Sequence, residues 1–119
     1  MIAQIRFFEI PSSDFNRAID FYRNVFDFEI EAFDWEIEKM AMISGEPVGG
    51  CIFHSEGFMP SKDGVIISFE VDDIETILAK AVNNGGKIVM GKCKIQSDNL
   101  GYCGYFIDCE GNRIGLYSK

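Results

Sequence analysis

The chain carries one order of sequence patterns twice, and neither copy alone can cover both faces of the sheet it encodes. In the first copy residues 2–10 alternate as a strand and Pro11-Ser-Ser-Asp14 breaks it. Ala18, Phe21, Tyr22, Val25 and Phe26 then fall at the three-to-four spacing of a helical stripe over residues 14–26. Ser13 or Asp14 can cap that helix by accepting a bond from an orphan N–H. Strand periodicity resumes over 28–33, 37–43 and 51–55, with a turn near 34–36 and a Gly-rich loop over 44–50. In the second copy residues 65–71 form a β-branched and aromatic run. Asp72 followed three residues later by Glu75 reads as a capping box. Ile74, Ile77, Leu78, Ala81 and Val82 make the next apolar stripe, which Gly85-Gly86 stops. Residues 87–95, 102–107 and 113–117 supply three more strands. Both halves therefore read β-α-β-β-β, and both first strands end alike, in Phe8-Glu9-Ile10 and Phe69-Glu70-Val71.

This repeat predicts an α+β fold of two βαβββ modules, 1–58 and 64–119, joined by a Pro- and Gly-bearing linker within one domain. Two such modules side by side can curl their sheets around a shared concave surface, with the helices outside. Period-two alternation turns Phe8, Ile10, Ile67, Phe69, Val71, Ile114 and Leu116 toward the helices. It turns Ile5, Phe7, Glu9, Ile66, Ser68, Glu70, Arg113, Gly115 and Tyr117 toward the concave face. A concave face mixing apolar and polar groups is the default place for a ligand. In the closing hairpin, Gly111 offers the positive φ a tight connection needs and Asn112 tolerates it.

Charge and cysteine usage narrow the partners. With 19 acidic against 11 basic residues the net charge is −8, which disfavours nucleic acid and anionic membranes and weakly favours cationic small molecules. No apolar run approaches the length of a membrane span. Arg6 and Glu9 leave no room for a secretion-signal core at the start, so the expected location is cytoplasmic. Cys51, Cys93, Cys103 and Cys109 form no C-x-x-C pair, consistent with reduced thiols.

The run Asp14-Phe-Asn-Arg-Ala-Ile-Asp-Phe-Tyr-Arg-Asn-Val-Phe26 resembles the first helix of the vicinal oxygen chelate superfamily. That group includes glyoxalase I, extradiol dioxygenases, and the bleomycin- and fosfomycin-resistance proteins. Val71-Asp-Asp73, Asn84-Gly-Gly-Lys87 and Asp108-Cys-Glu-Gly-Asn-Arg-Ile-Gly-Leu116 stand at its later landmarks. The resemblance implies a cup-shaped site, usually completed in a homodimer. Metal-dependent members hold a His or carboxylate ligand in the first, fourth, fifth and last strands. Carried over, these positions fall on Phe7, on Cys51 or Ile52, on Ile66 and on Gly115. Phe and Ile cannot coordinate, and Gly has no side chain. The only histidine is His54, so no two-His site can be built within one subunit. No metal and no cofactor are expected.

The expected ligand-binding set is Phe7, Glu9, Cys51, Phe53, Ile66, Ser68, Glu70, Arg113, Gly115 and Tyr117. Glu9 and Glu70 can meet a cationic group, and Arg113 can clamp a carboxylate or neutralise the glutamates. Phe7, Phe53 and Tyr117 suit a flat or apolar ligand, as do Trp35, Tyr102 and Tyr105 if they reach the cup. Cys51 is the one thiol expected near the site, and no His is placed to activate it. Two functions follow. One is a metal-independent protein binding a small aromatic or cationic compound in a homodimer. The other is a glyoxalase-like lyase or isomerase, related to lactoylglutathione lyase, with a divergent divalent-metal site. No catalytic residue can be named.

Overall fold

In a computed structural model, residues 2–35, 38–96 and 99–119 are described. The order is β1 (Phe7–Pro11), α1 (Phe15–Phe26), β2 (Ile30–Asp34), β3 (Lys39–Ile43), β4 (Gly49–His54), β5 (Ile67–Glu70), α2 (Ile74–Asn83), β6 (Lys87–Lys94), β7 (Tyr102–Ile107) and β8 (Arg113–Ser118). The expected βαβββ repeat is present, and the fold class is α+β. Each module forms a mixed four-stranded sheet, β1-β4-β3-β2 and β5-β8-β7-β6. The first strand of each runs parallel to the fourth, and the remaining pairs are antiparallel. β1 and β5 are edge strands of separate sheets.

Several boundaries differ from the periodicity, each for a local reason. β1 starts at Phe7 rather than residue 2, because β4, its only partner, begins opposite it at Gly49. Gly49 and Gly50 belong to β4 rather than to a loop. The Phe8 ring lies so close over Gly50 that a Cβ there would sit 2.5 Å from it, and only glycine lets the strands pair. β5 is shorter than residues 65–71, and Ile66 precedes it. The second helix is capped by Asp73 rather than Asp72: its carboxylate accepts the Glu75 and Thr76 N–H groups and the Thr76 hydroxyl. The pairing partner three residues on is thus Thr76, not Glu75. Asp14 caps α1, as one of the two candidates. Val82 lies 47% exposed, off the buried stripe of α2. The expected turn at Glu36 and strand start at Ile37 lie outside the described residues.

The helix-facing residues behave as alternation requires. Ile10, Ile114 and Leu116 are buried, and Phe8, Ile67, Phe69 and Val71 pack against the same core. That core is continuous between modules. Phe69 meets Phe8, Phe26 and Phe28 with ring centroids 4.9–5.5 Å apart, and Phe21 approaches Phe106. Each such pair contributes about 0.5–1.5 kcal/mol beyond area burial. Helix α1 is therefore not only an outer cover for its own sheet; Phe21 and Tyr22 reach into the second module.

The β7–β8 turn completes this junction. Asp108 is buried and accepts the Tyr22 hydroxyl at 2.6 Å, the backbone N–H groups of Glu110 and Asn112, and the Asn112 amide. Asn112 in turn donates to the Pro11 carbonyl and accepts the Ser61 N–H, tying β1 and the linker to the hairpin. Gly111 takes φ +104°, as the turn demands. Glu110, its side chain fully shielded, accepts the Ser13 and Asp14 N–H groups and the Arg17 guanidinium at 2.6 Å. It thus closes the N-terminus of a helix from the other module.

Burial pushes the Glu110 carboxyl up, but the Arg17 guanidinium and the two N–H groups outweigh it and hold it below the ordinary carboxylate range. Its folded pKa lies below its unfolded one. The stabilisation is therefore complete above about pH 5 and is lost as pH falls through the depressed value. Glu110→Gln is expected to cost on the order of 1–3 kcal/mol at pH 7. The difference between the two proteins should shrink steadily below pH 4, as read by urea denaturation across pH.

Candidate functional site

The concave side of the first sheet holds an open cavity of about 580 Å³, within the range of small-molecule sites. Phe7 and Glu9 reach it from β1, Met40 and Met42 from β3, and Gly49 and Cys51 from β4, with Arg6 and the Gly45–Glu46 loop at its rim. Strand register explains the convergence: Glu9 stands opposite Cys51, which stands opposite Met42. The walls are apolar and polarisable, with a carboxylate to one side. Phe7 is 57% and Met42 44% exposed.

Cys51 is buried beneath these side chains. Burial, and then the nearby Glu9 and Glu38 carboxylates, push its thiol up to about 11. It stays protonated at neutral pH and is a poor nucleophile. His54 cannot assist: its Nδ1 donates to the Ser12 carbonyl at 2.8 Å. The cavity can bind and orient a molecule, with the Glu9 carboxylate as the acidic group that lines it beside the protonated Cys51 thiol.

The ten expected ligand-binding residues do not meet in one place. Phe7, Glu9 and Cys51 line this cavity. Phe53 lies on the same sheet but packs edge-on against Phe58, outside it. Ile66, Ser68, Arg113, Gly115 and Tyr117 sit on or beside the second sheet and line neither cavity found here. Glu70 borders a second hollow of about 630 Å³ with Phe26, Phe28, Phe69 and Thr76, and its carboxylate approaches the Lys119 ammonium at 3.9 Å. The buried Arg113 Nε finds no hydrogen-bond partner among the described residues. Trp35 stacks on Phe33 away from both hollows. Met40 and Met42 were missed by the sequence reading; their alternation on β3 held the signal, but only the register to Cys51 places them at the site.

The same register decides which fourth-strand residue corresponds to a metal-ligand position. Gly115 stands opposite Ser68, two residues past Ile66; Cys51 stands opposite Glu9, two residues past Phe7. The offset is equal in both modules, so Cys51 and Gly115 hold equivalent register positions, while Ile52 is buried in the core. The four positions therefore offer two hydrocarbons, one protonated thiol and one glycine. A Cβ at Gly115 would collide with the Ser68 hydroxyl and lie 3.2 Å from the Tyr105 ring, so any side chain there requires Ser68 to rotate and Tyr105 to shift. These residues do not fit a divalent ion. Among the described residues, no three His, Cys, Asp or Glu side chains are placed to share one.

Two mixed four-stranded sheets, each with its own crossover helix, define a paired βαβββ protein. The sequence model of the Glyoxalase/Bleomycin resistance protein/Dioxygenase superfamily matches residues 4–116, and the chain belongs to that family. Among solved structures it is similar to a glyoxylase/bleomycin resistance protein/dioxygenase domain from Frankia sp., with TM-score 0.77 at 10% identity over 99% of this chain and 98% of that one. It is similar to a genomically encoded fosfomycin resistance protein from Listeria monocytogenes, with TM-score 0.75 at 16% identity over 100% and 93%. A glyoxalase I mutant from Zea mays gives TM-score 0.76 at 17% identity, with 95% of this chain matching 45% of that one. At these identities the likeness shows the fold alone. No curated protein sequence matches the chain.

The crowding at the last-strand position is directly testable. Gly115→Ala is expected to lower stability by about 1–3 kcal/mol through overpacking. Part of that loss should return in a Ser68→Gly background, as measured by chemical denaturation.

Proposed function

We propose that this protein is a metal-independent, small-molecule-binding member of its family, holding a small aromatic or cationic compound against the first sheet. The observation that carries the reading is the cavity where Phe7 and Cys51 replace first- and fourth-strand ligands. Its walls include the Phe7 ring and two methionines, and of its three charged lining residues, Arg6, Glu9 and Glu46, two are carboxylates. A flat ring can stack on Phe7, and methionine thioethers adapt to irregular shapes. A cation bound there would gain from Glu9 and from the ring face together. The net charge of −8 attracts such a ligand from a distance. The protonated state of Cys51 favours binding over covalent chemistry.

Two copies complete the site in this proposal. β1 and β5 are edge strands, and Phe7, Met42 and Ile66 stand 41–57% exposed on the sheet faces. Apolar side chains at an open sheet edge are an association surface. A cytoplasmic setting fits the four free cysteines. No helix among the described residues is long and apolar enough to cross a membrane.

Isothermal calorimetry against a panel of cationic and aromatic compounds tests the reading. Saturable binding is expected, weakened roughly three- to tenfold by Glu9→Gln for cationic ligands only. Binding of no compound, or a stoichiometric ion in protein purified without chelator, would count decisively against it. Light scattering is expected to report twice the 13.4 kDa chain mass; a monomer at high concentration would remove the dimeric half of the proposal.

A further inference from the structure

We propose that Cys93 and Cys103 form a reversible disulfide, making the β6–β7 pair of the second sheet an oxidation site. The two are direct register partners on adjacent antiparallel strands. Directly opposed residues in such a pair have Cα atoms about 4.5–5.5 Å apart and project from the same face. That separation lies inside the roughly 4.4–6.8 Å a disulfide accepts. Both are free thiols, and among the described residues the Cys93 Sγ makes a 3.7 Å contact with the neighbouring Lys94 carbonyl.

The pairing depends on two strand irregularities. Near Lys87 the register sets Lys87 opposite Ile107 and Ile88 opposite Phe106. Continued unbroken, that register would put Cys103 opposite Gly91. Register shifts between Ile88 and Met90, and again between Met90 and Cys93, advance β6 by two residues and bring Cys93 opposite Cys103. Bulges that re-aim a side chain are built features of a strand, and these two align the thiols.

Access follows the same asymmetry. Cys93 is exposed on the edge strand β6, and Cys103 is half-buried beside Tyr117, its partner on β8. The other two cysteines do not compete. Burial raises the Cys51 thiol to about 11, and burial followed by the Glu110 hydrogen bond pushes Cys109 up further.

The chemistry requires a low-molecular-weight disulfide as oxidant. The exposed Cys93 thiolate attacks one of its sulfurs, forming a mixed disulfide and expelling one small thiolate. Cys103, as thiolate, then attacks the Cys93 sulfur and expels the second. Two protein thiols are oxidised, one small disulfide is reduced to two thiols, and the two protons lost by the protein go to the leaving groups. The product ties the edge strand to the sheet across the row Glu70, Tyr117, Cys103 and Cys93. An exposed, cross-strand bond is the labile, readily reduced kind.

The test equilibrates the reduced protein with oxidised and reduced glutathione at stepped ratios, followed by intact mass and peptide mapping. The expected product is a single chain lighter by two hydrogens, with peptides containing Cys93 and Cys103 linked, and fully restored by dithiothreitol. Cys103→Ser should instead stop at one glutathione adduct on Cys93, and Cys93→Ser should lose the link. Wild-type protein that accumulates glutathione on Cys93 without closing the ring would overturn the proposal. So would a bond from either residue to Cys51, Cys109 or a second chain. The mapping on wild-type protein decides the question even if a serine variant fails to fold.

Discussion

A single buried carboxylate, Asp108, holds the two modules to one another. It sits in the last turn of the second module and receives the hydroxyl of Tyr22 from the first, along with the turn's own N–H groups. Burial, and then the neighbouring Asp108, raise the Tyr22 phenol well above its ordinary value, so it stays a neutral hydroxyl donor. Hydrogen bonds to a charged group contribute about 1.5–3 kcal/mol, and an orphaned buried partner costs as much again. Glu110 and Asn112 add contacts to the α1 N-terminus, Pro11 and the linker. The tight turn thus serves as an inter-module lock as well as a strand connection.

The placement of the site follows from that lock. Because α1 is clamped between its own sheet and the second module, the helix-side faces of both sheets pool their side chains in one core. Their other faces then carry no shared filling. The first holds a cavity around Phe7, Glu9, Cys51, Met40 and Met42; the second is closed at Gly115 by Ser68 and Tyr105. β1 and β5 remain edges, so the residues expected to form one cup divide between two surfaces. The proposed dimer would reunite such surfaces between copies.

Much of the fold was legible because alternation and helical spacing are local. The β-α-β-β-β order, the α1 stripe and the inward set Ile10, Phe69, Ile114 and Leu116 all follow from which residues must hide. What escaped depended on a partner strand or a neighbouring side chain. Glycines 49 and 50 read as loop, yet both lie in a strand paired with β1, and the Phe8 ring takes the space a side chain at Gly50 would need. Asp72 reads as the cap because Glu75 follows it by three, yet it is Asp73 that accepts the Glu75 and Thr76 N–H groups and the Thr76 hydroxyl. Met40 and Met42 carry no chemical flag until the register sets them beside Cys51.

The amino-acid sequence alone determined the repeat, the two-faced strands and the presence of residues without a donor atom in their side chains at positions 7, 66 and 115. Those properties belong to individual residues and to spacings of two to four. Only the tertiary structure decided which faces share a cavity, that Cys51 lines it beside Glu9 while Ile52 packs in the core, and that Cys93 stands opposite Cys103. Each depends on register, and register is set by the whole network of pairing, bulges and packing rather than by any one stretch of chain.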